Sequence, residues 1–411
     1  TEESFMEFYK EKIGDLKLRA SYGILGSQAI GTYDRFTVYD VYDNSYAYNN
    51  KTVSGAGFKL GLENLTWEKT QTFNIGVDAS FLQNSLTVTF DYFHKRTNDI
   101  LMKPLISSVF GTEMPMANIG KMQNQGWDLS VNYRLKTGAF THNFNFNLGD
   151  SWNKVLEFPG DEQITQVEEL SRIIRVGVPL NSYYGYKMAG FFQSYDEIEA
   201  SAIPVGAKVQ PGDIKFVDRN DDGIIDSKDK FILGNAFPRY TFGFTYGLNW
   251  KGIDFSMFWQ GVGKRDMMLR GELIEPYHAN YSYTIYKHQL DFWTPTNTEA
   301  RWPRLAAPGS DSNRNNYGNG NGSDLFLLDG KYLRLKNLTI GYTLPKEWTK
   351  HLGMQKARLY INGQNLLTFS NNSFIDPESS EFDSKMSTSG ANSGRSYPTL
   401  RYFGFGVDIE F

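Results

Sequence analysis

The sequence has 411 residues, with 42 Lys and Arg against 46 Asp and Glu, five His and no Cys. The near balance, without any basic block, excludes the electrostatic footprint of a nucleic-acid binder, and the absence of cysteine excludes disulfides, thiolate metal sites and Cys nucleophiles. No apolar run approaches the ~20 residues of a membrane-crossing helix, which leaves an all-β chain rich in aromatics, with 30 Phe, 25 Tyr and 8 Trp.

The opening stretch TEESFMEFYKEKIGDLKLRASYG lacks both an initiator Met and a basic-then-apolar leader. Thr1 is therefore read as an interior position of a longer protein. Alternation of apolar and polar residues then begins and recurs along the chain. Leu16, Leu18, Ala20 and Tyr22 oppose Lys17, Arg19 and Ser21, predicting a strand over Asp15 to Gly23. Phe73, Ile75, Val77, Ala79 and Phe81 form a second strand, which turns at Gln83-Asn84 into Leu86, Val88, Phe90 and Tyr92. A further hairpin pairs Trp127–Leu135 with Phe140–Leu148 through Lys136–Gly138, and another pairs Tyr240–Trp250 with Ile253–Trp259 through Lys251-Gly252. Tyr332–Pro345 and Ala357–Leu367 follow, then a closing strand over Arg401–Phe411, which makes ten candidate strands. In the eighth the apolar phase slips from Leu333 and Leu335 to Leu338, Ile340 and Tyr342, predicting a bulge near Lys336-Asn337.

The connections alternate in length. Short ones at Gln83, Lys136, Lys251 and Pro345–Gln355 are interleaved with polar excursions over about 26–66, 97–122, 153–238, 266–330 and 369–397. All long loops thus fall at one end of the strands, as in transmembrane antiparallel β-barrels, whose periplasmic turns are short and extracellular loops long. Each strand has roughly the 9–11 residues a tilted membrane strand needs. A soluble antiparallel fold such as a propeller has no reason for this one-sidedness. With the C-terminus in the periplasm, residues 1–14 are a periplasmic turn, and 153–238 and 266–330 are extracellular. The strand-like NSYYGYKMAGFFQS (Asn181 to Ser194) is assigned to the outer excursion, because counting it as a wall strand would invert everything upstream.

One stretch has the spacing of a metal loop. In Asp218–Asp229, Asp218, Asn220 and Asp222 stand at positions 1, 3 and 5, Gly223 at 6, the Ile224 carbonyl at 7, and Asp226 and Asp229 at 9 and 12. This is the order by which an EF-hand-type loop surrounds Ca²⁺ with oxygen, with Asp in place of the long Glu at position 12. The same residues also suit a solvated Asx-rich turn. As a calcium site the loop would have a structural role, stiffening the excursion. Loop aromatics Tyr277, Tyr281, Tyr283, Tyr286, Trp293 and Trp302 are candidates to stack on sugar or peptide, though packing among loops uses the same residues. The run Gly309–Asp324 reads as flexible on composition, and its GNGNG is no phosphate cradle. His94, His142, His278, His288 and His351 are scattered, without zinc spacing, and no nucleophile elbow occurs, so no enzyme is predicted. In the last strand Phe403, Phe405, Val407, Ile409 and Phe411 share one parity and are expected to face lipid, as the strand that closes the barrel.

Seven stretches, in order, carry a family resemblance: LKLRASYGILG (Leu16 to Gly26), LTWEKTQTFNIGVD (Leu65 to Asp78), RVGVPLNSYYGYKMAGFFQS (Arg175 to Ser194), PGDIKFVDRNDDGIID (Pro211 to Asp226), YLRLKNLTIGYTLP (Tyr332 to Pro345), ARLYINGQNLLTFS (Ala357 to Ser370) and IDPES (Ile375 to Ser379). Together they resemble the SusC/RagA-type TonB-dependent transporters of Bacteroidetes outer membranes. The resemblance implies a 22-stranded barrel around a plug, a preceding TonB box, TonB as energy source and a SusD-like lipoprotein as lid. The sequence then corresponds to the C-terminal ten strands, without plug or TonB box. The implied activity is import of a large nutrient, an oligosaccharide first and a peptide second; a non-transporting receptor or adhesin, or a passive porin, are the alternatives.

Overall fold

The computed structural model describes residues 3, 7–12, 14–28, 30–104, 109, 114–160, 162–167, 170–278, 284–318, 320–351, 353–378, 391–392 and 397–411. Its frame is one antiparallel sheet of ten strands paired in chain order. These are β1 (Leu16–Ser27), β2 (Glu68–Phe81), β3 (Leu86–Met102), β4 (Ala117–Thr137), β5 (Phe140–Glu157), β6 (Arg239–Trp250), β7 (Ile253–Lys264), β8 (Tyr332–Thr343), β9 (Lys356–Ser370) and β10 (Tyr402–Glu410). Each matches one predicted strand, so the alternation was a sufficient guide to the wall. Between β7 and β8, and again between β8 and β9, the register skips Lys336, placing the bulge where the apolar phase slips.

The boundaries differ at one loop. The predicted excursion 97–122 is shorter than expected and has strand at both its ends, because β3 runs to Met102 and β4 starts at Ala117. Lys121, Gln123 and Gln125 have no apolar alternation, since this part of the ribbon has polar residues on both faces. The first excursion also holds a hairpin, Val38–Tyr48 paired with Lys51–Lys59. The stretch YYGYKMAGFF splits into Ser182–Gly185 and Met188–Phe191, each in a small sheet apart from the ten-stranded one.

The two faces of the wall differ in chemistry. On one, Phe73, Ile75, Phe90, Ile340, Tyr342, Ile361, Phe403 and Phe405 are exposed, the last two at 81% and 75%. An apolar surface continued across so many neighbouring strands far exceeds the patches of soluble monomers and matches a lipid-facing band. Near the short turns Phe140 stacks on Trp250 at 5.4 Å between ring centroids and Phe144 packs tilted against Tyr246 at 5.0 Å, placing aromatics where membrane barrels carry an interfacial girdle. The opposite face is hydrophilic. Asn132, Asn145 and Asn147 form a hydrogen-bonded row there, Asn147 Nδ2 donating to Asn145 Oδ1 at 2.8 Å.

Charge crosses this inner face in two places. Arg19 on β1 reaches over Gly76 on β2 to Asp91 on β3, with Nη1–Oδ1 at 2.8 Å, while its Nε takes Asp78 at 2.7 Å. Arg358 on β9 reaches past Gly341 on β8 to Asp254 on β7, with Nη2–Oδ2 at 2.6 Å, and gives Nη1 to Asp408 on β10 at 2.9 Å. Glycine is required in the middle strand. A Cβ at 76 would lie 2.3 Å from the Asp91 carboxylate, and one at 341 would lie 2.5 Å from Asp254 and 2.6 Å from the guanidinium. Gly341→Val is therefore expected to destabilise the protein by about 1–3 kcal/mol through this clash. Thermal melts in detergent check it, and the penalty should shrink when Asp254→Ala has already emptied the space.

The excursions 153–238 and 266–330 are not independent loops. Leu170, Tyr183, Phe191, Ile214, Phe216, Ile225, Met268, Ile274, Trp293, Trp302, Tyr317 and Phe326 are drawn from both and form one buried cluster. Backbone bonds stitch the two together: Arg304 N donates to Gly212 O at 2.9 Å and Tyr186 N to Gly322 O at 2.9 Å. The sheet thus carries a second layer at its loop end, with a hydrophobic core of its own.

Candidate functional site at the loop end of the wall

Within this layer the run Gly309–Asp324, read from composition as flexible, contains a helix, Asp311–Tyr317, capped by the Ser310 hydroxyl. The correction has a clear cause. Asn residues serve here as buried hydrogen-bonding groups: Asn316 is fully buried and its Oδ1 accepts from Ile214 N at 2.8 Å, while its Nδ2 donates to Asp213 at 3.1 Å. Asp213 is also fully buried and accepts from Ser312 Oγ at 3.0 Å and Gln210 N at 2.9 Å. Burial pushes its carboxyl above the ordinary range, against the pull of these donors.

The predicted ligand aromatics do not converge. Trp302 is fully buried, its indole donating to His288 O at 2.8 Å, and Trp293 is 7% exposed with its indole on Gln193 Oε1 at 3.0 Å. Both are core residues, so the expectation that they stack on a ligand is corrected. A large ring with one N–H satisfies the packing of a loop layer as well as it would a ligand. Tyr286 is 41% exposed and stacks on His288, and Tyr277, at φ +63°, borders a shallow recess with Leu305 and Pro308. Tyr281 and Tyr283 lie outside the described residues.

The metal loop has the local geometry of its spacing in its first half. Gly223 has φ +83°, and Gly223 N donates to Asp218 Oδ2 at 2.9 Å, leaving Asp218 Oδ1 buried without a partner. Asp222 Oδ1 accepts from Ile224 N at 3.1 Å, and Asn220 Nδ2 donates to Asp222 Oδ2 at 2.8 Å. The second half is engaged otherwise. Asp229, fully buried, accepts from Arg219 N at 2.9 Å and Asp226 N at 2.8 Å, while Asp226 accepts from Lys228 N at 2.7 Å. Among the described residues no three His, Asp or Glu side chains converge as a metal-binding group. The orphaned Asp218 oxygen fits a cation; Asp229 would have to release its N–H donors to join it.

A constellation that alternation and motif spacing missed lies on the inner face. Arg334 of β8 points inward beside Gln260 and Thr368 and meets two carboxylates of the following excursion, Asp376 at 2.5 Å and Glu378. The bulge turns Lys336 to the same carboxylate, Nζ–Oε2 3.0 Å, and the Tyr332 hydroxyl donates to Glu378 Oε1 at 3.0 Å. Arg265 Nη1 donates to Pro377 O at 3.2 Å and Thr399 N to Asp376 Oδ2 at 2.9 Å. The side chains of Arg334 and Asp376 are only 5% and 7% exposed. The segment 376–378 is thus clamped to the inner wall. Its signal in the sequence is the phase slip itself, since a bulge re-aims the extra residue.

Comparison with known proteins gives a consistent result. A family model described as TonB dependent receptor-like, beta-barrel matches residues 13–366. TonB-dependent receptor P26 of Formosa agariphila is 33% identical over the whole chain, and TonB-dependent receptor SusC of Bacteroides thetaiotaomicron is 29% identical over 97% of it. The aligned portions are 41% and 38% of those relatives, so the chain spans about two fifths of their length. Among solved structures, the RagAB peptide importer in its open-open state superposes over 97% of the chain and 40% of its own, with TM-score 0.74 and 24% identity, which shows a shared fold.

Proposed function

The chain belongs to the TonB dependent receptor-like β-barrel family, and from that premise we propose that it forms the C-terminal ten strands of an outer-membrane barrel that imports a large nutrient by TonB coupling. The observation that carries this reading is the wall itself: an apolar face, a hydrophilic face and every long excursion at one end. On this reading 1–14 and the C-terminus are periplasmic, 153–238 and 266–330 extracellular, and Phe403, Phe405, Val407, Ile409 and Phe411 face lipid on the strand that closes the barrel against strands outside this sequence. The loop layer is the natural seat for a SusD-like lipoprotein, and a plug inside the barrel is what TonB would pull. Oligosaccharide is the leading cargo and peptide the second; of the candidate aromatics, the exposed ring of Tyr286 and Tyr277 beside its shallow recess are the ones that would meet either. The test is uptake of labelled oligosaccharides and peptides by cells carrying the full-length protein, with and without TonB. Loss of uptake without TonB is the expected result; undiminished uptake would point to a porin, and binding without uptake to a receptor. No part of this reading calls for an enzymatic activity.

We also propose that the loop 218–229 holds a structural Ca²⁺. Asp218, Asn220, Asp222, the Ile224 carbonyl and Asp226 would supply oxygens, with Asp229 in the last position. An extracellular-grade site of ~10⁻⁴ M is expected, so calcium at 100 times that value should stabilise the loop layer by about 2.7 kcal/mol. Melts with calcium and with chelator, on the wild type and on Asp218→Asn, check it. Equal melting temperatures under both conditions would remove the metal from the account.

A further inference from the structure

Where the loop ends of β5, β6 and β7 meet the small sheet of Ser182–Gly185 and Phe231–Gly234 lies a cavity of about 220 Å³. Trp152, Pro179, Ile232 and Phe237 give it apolar walls, with Ile232 and Phe237 still 40% and 44% exposed toward the opening. Its charges do not cancel. Arg239 is matched by Asp150, with Nη2–Oδ2 at 2.6 Å, and is a closed pair. Asp266 is committed to the wall, its Oδ2 accepting from Asn235 N at 2.9 Å.

Two further cations line the space, Lys264 and Arg265, and among the described residues neither forms an ion pair. Arg265 donates once, to Pro377 O, and its Nε is buried without a partner. A third cation lies outside the lining, against Tyr183. Arg172, 7% exposed, lies with its guanidinium carbon 6.0 Å from the Tyr183 ring centroid, its Nε and Nη2 buried and unpartnered. Arg172 and Arg265 both act electrostatically on the Tyr183 hydroxyl. Apart from the closed Arg239–Asp150 pair, the lining among the described residues thus sets Lys264 and Arg265 against the single carboxylate of Asp266, and its balance is positive. Buried guanidinium N–H groups without acceptors are costly, and a carboxylate is the acceptor whose geometry suits them. The same walls offer an apolar body a place to pack, which an inorganic anion would leave unused.

We propose that this cavity is a subsite for a carboxylate carried on a compact ring or aliphatic body, with Arg265 and Lys264 taking the charge and Trp152 and Phe237 the body. The proposal rests on the import reading and narrows its cargo to chains that carry carboxylates: a peptide through its terminal residue, or an acidic sugar.

Calorimetry on the full-length protein in detergent tests it with two matched pairs, N-acetyl-leucine against its amide and glucuronate against methyl glucoside. At least one carboxylate is expected to bind at least ~10-fold more tightly than its neutral partner, more weakly as salt rises, and several-fold more weakly in Lys264→Gln and Arg265→Gln. Preference for the acyl amino acid assigns the peptide source; preference for the uronate assigns the sugar. Equal binding of the charged and neutral members, or no binding by any probe, overturns the proposal on the wild type alone, whatever the variants do to folding. Uptake of neutral cargo would persist in that case, which separates failure of the subsite from failure of the import reading.

Discussion

Arg334→Ala should destabilise the protein by about 3–5 kcal/mol and free the segment 376–378 from the wall. The side chain is 5% exposed and answers two carboxylates at once, so its removal leaves Asp376 and Glu378 buried without their main counter-charge. Lys336 still reaches Glu378 at 3.0 Å, but from a more exposed position it compensates only part of the loss. The melt should therefore fall, and hydrogen exchange should rise at 376–378 and at Thr399, whose N–H depends on Asp376. A wild-type exchange pattern there, with only a global drop in stability, would refute the clamp. The clamp also has a pH signature. Burial alone would raise the Asp376 carboxyl, but the Arg334 guanidinium and the N–H donors of Glu378 and Thr399 outweigh it and hold the group below its ordinary value. A depressed carboxyl contributes stability that is present above the unfolded value of about 3.9 and lost as pH falls through the lower folded one. The segment should stay seated from neutral pH down to about 4 and loosen below it.

Trp302→Ala carries the other large effect, and it discriminates between two roles. A fully buried Trp replaced by Ala costs about 3–5 kcal/mol, part of it as the cavity left behind. The loss should be confined to the loop layer, because Trp302 belongs to the buried cluster of Trp293, Ile274 and Phe326, in which none of the named residues comes from the ten wall strands. Limited proteolysis should then cut within 153–238 and 266–330 while the sheet keeps its far-ultraviolet dichroism. Were Trp302 a ligand-stacking residue, the variant would lose affinity and keep its protease resistance. Tyr286→Ala supplies the contrast, since that ring is exposed and its removal should leave the layer intact.

The wall was legible in the sequence and the layer above it was not, for physical reasons. Strands with lipid on one side and water on the other must alternate, and Phe140, Phe144 and Phe146 against Asn143, Asn145 and Asn147 write that requirement plainly. Even the phase slip at Lys336 could be read. Where the ribbon has polar groups on both faces, at Lys121 to Gln125, the requirement lapses and the strand looked like loop. The loop core is assembled from residues as far apart as Leu170 and Leu328, without helical or strand period, so no local pattern announces it. Asn316 and Asp213 show the same limit from the polar side: composition labels them solvent residues, while the fold buries them on each other.

The arginine rows on the inner face bear on a question that alternation leaves open. Sliding one strand past its neighbour by one residue turns every apolar side chain inward and is forbidden by the membrane. Sliding by two residues restores the inside-outside pattern, and hydrophobicity alone is nearly indifferent to it. The Arg19 and Arg358 bridges are not indifferent, because each needs a particular glycine opposite the guanidinium and a particular carboxylate beyond it. At either end of the ten strands they act as keyed pins that admit one alignment, so that a sheet whose strands share the same alternation assembles in a single frame.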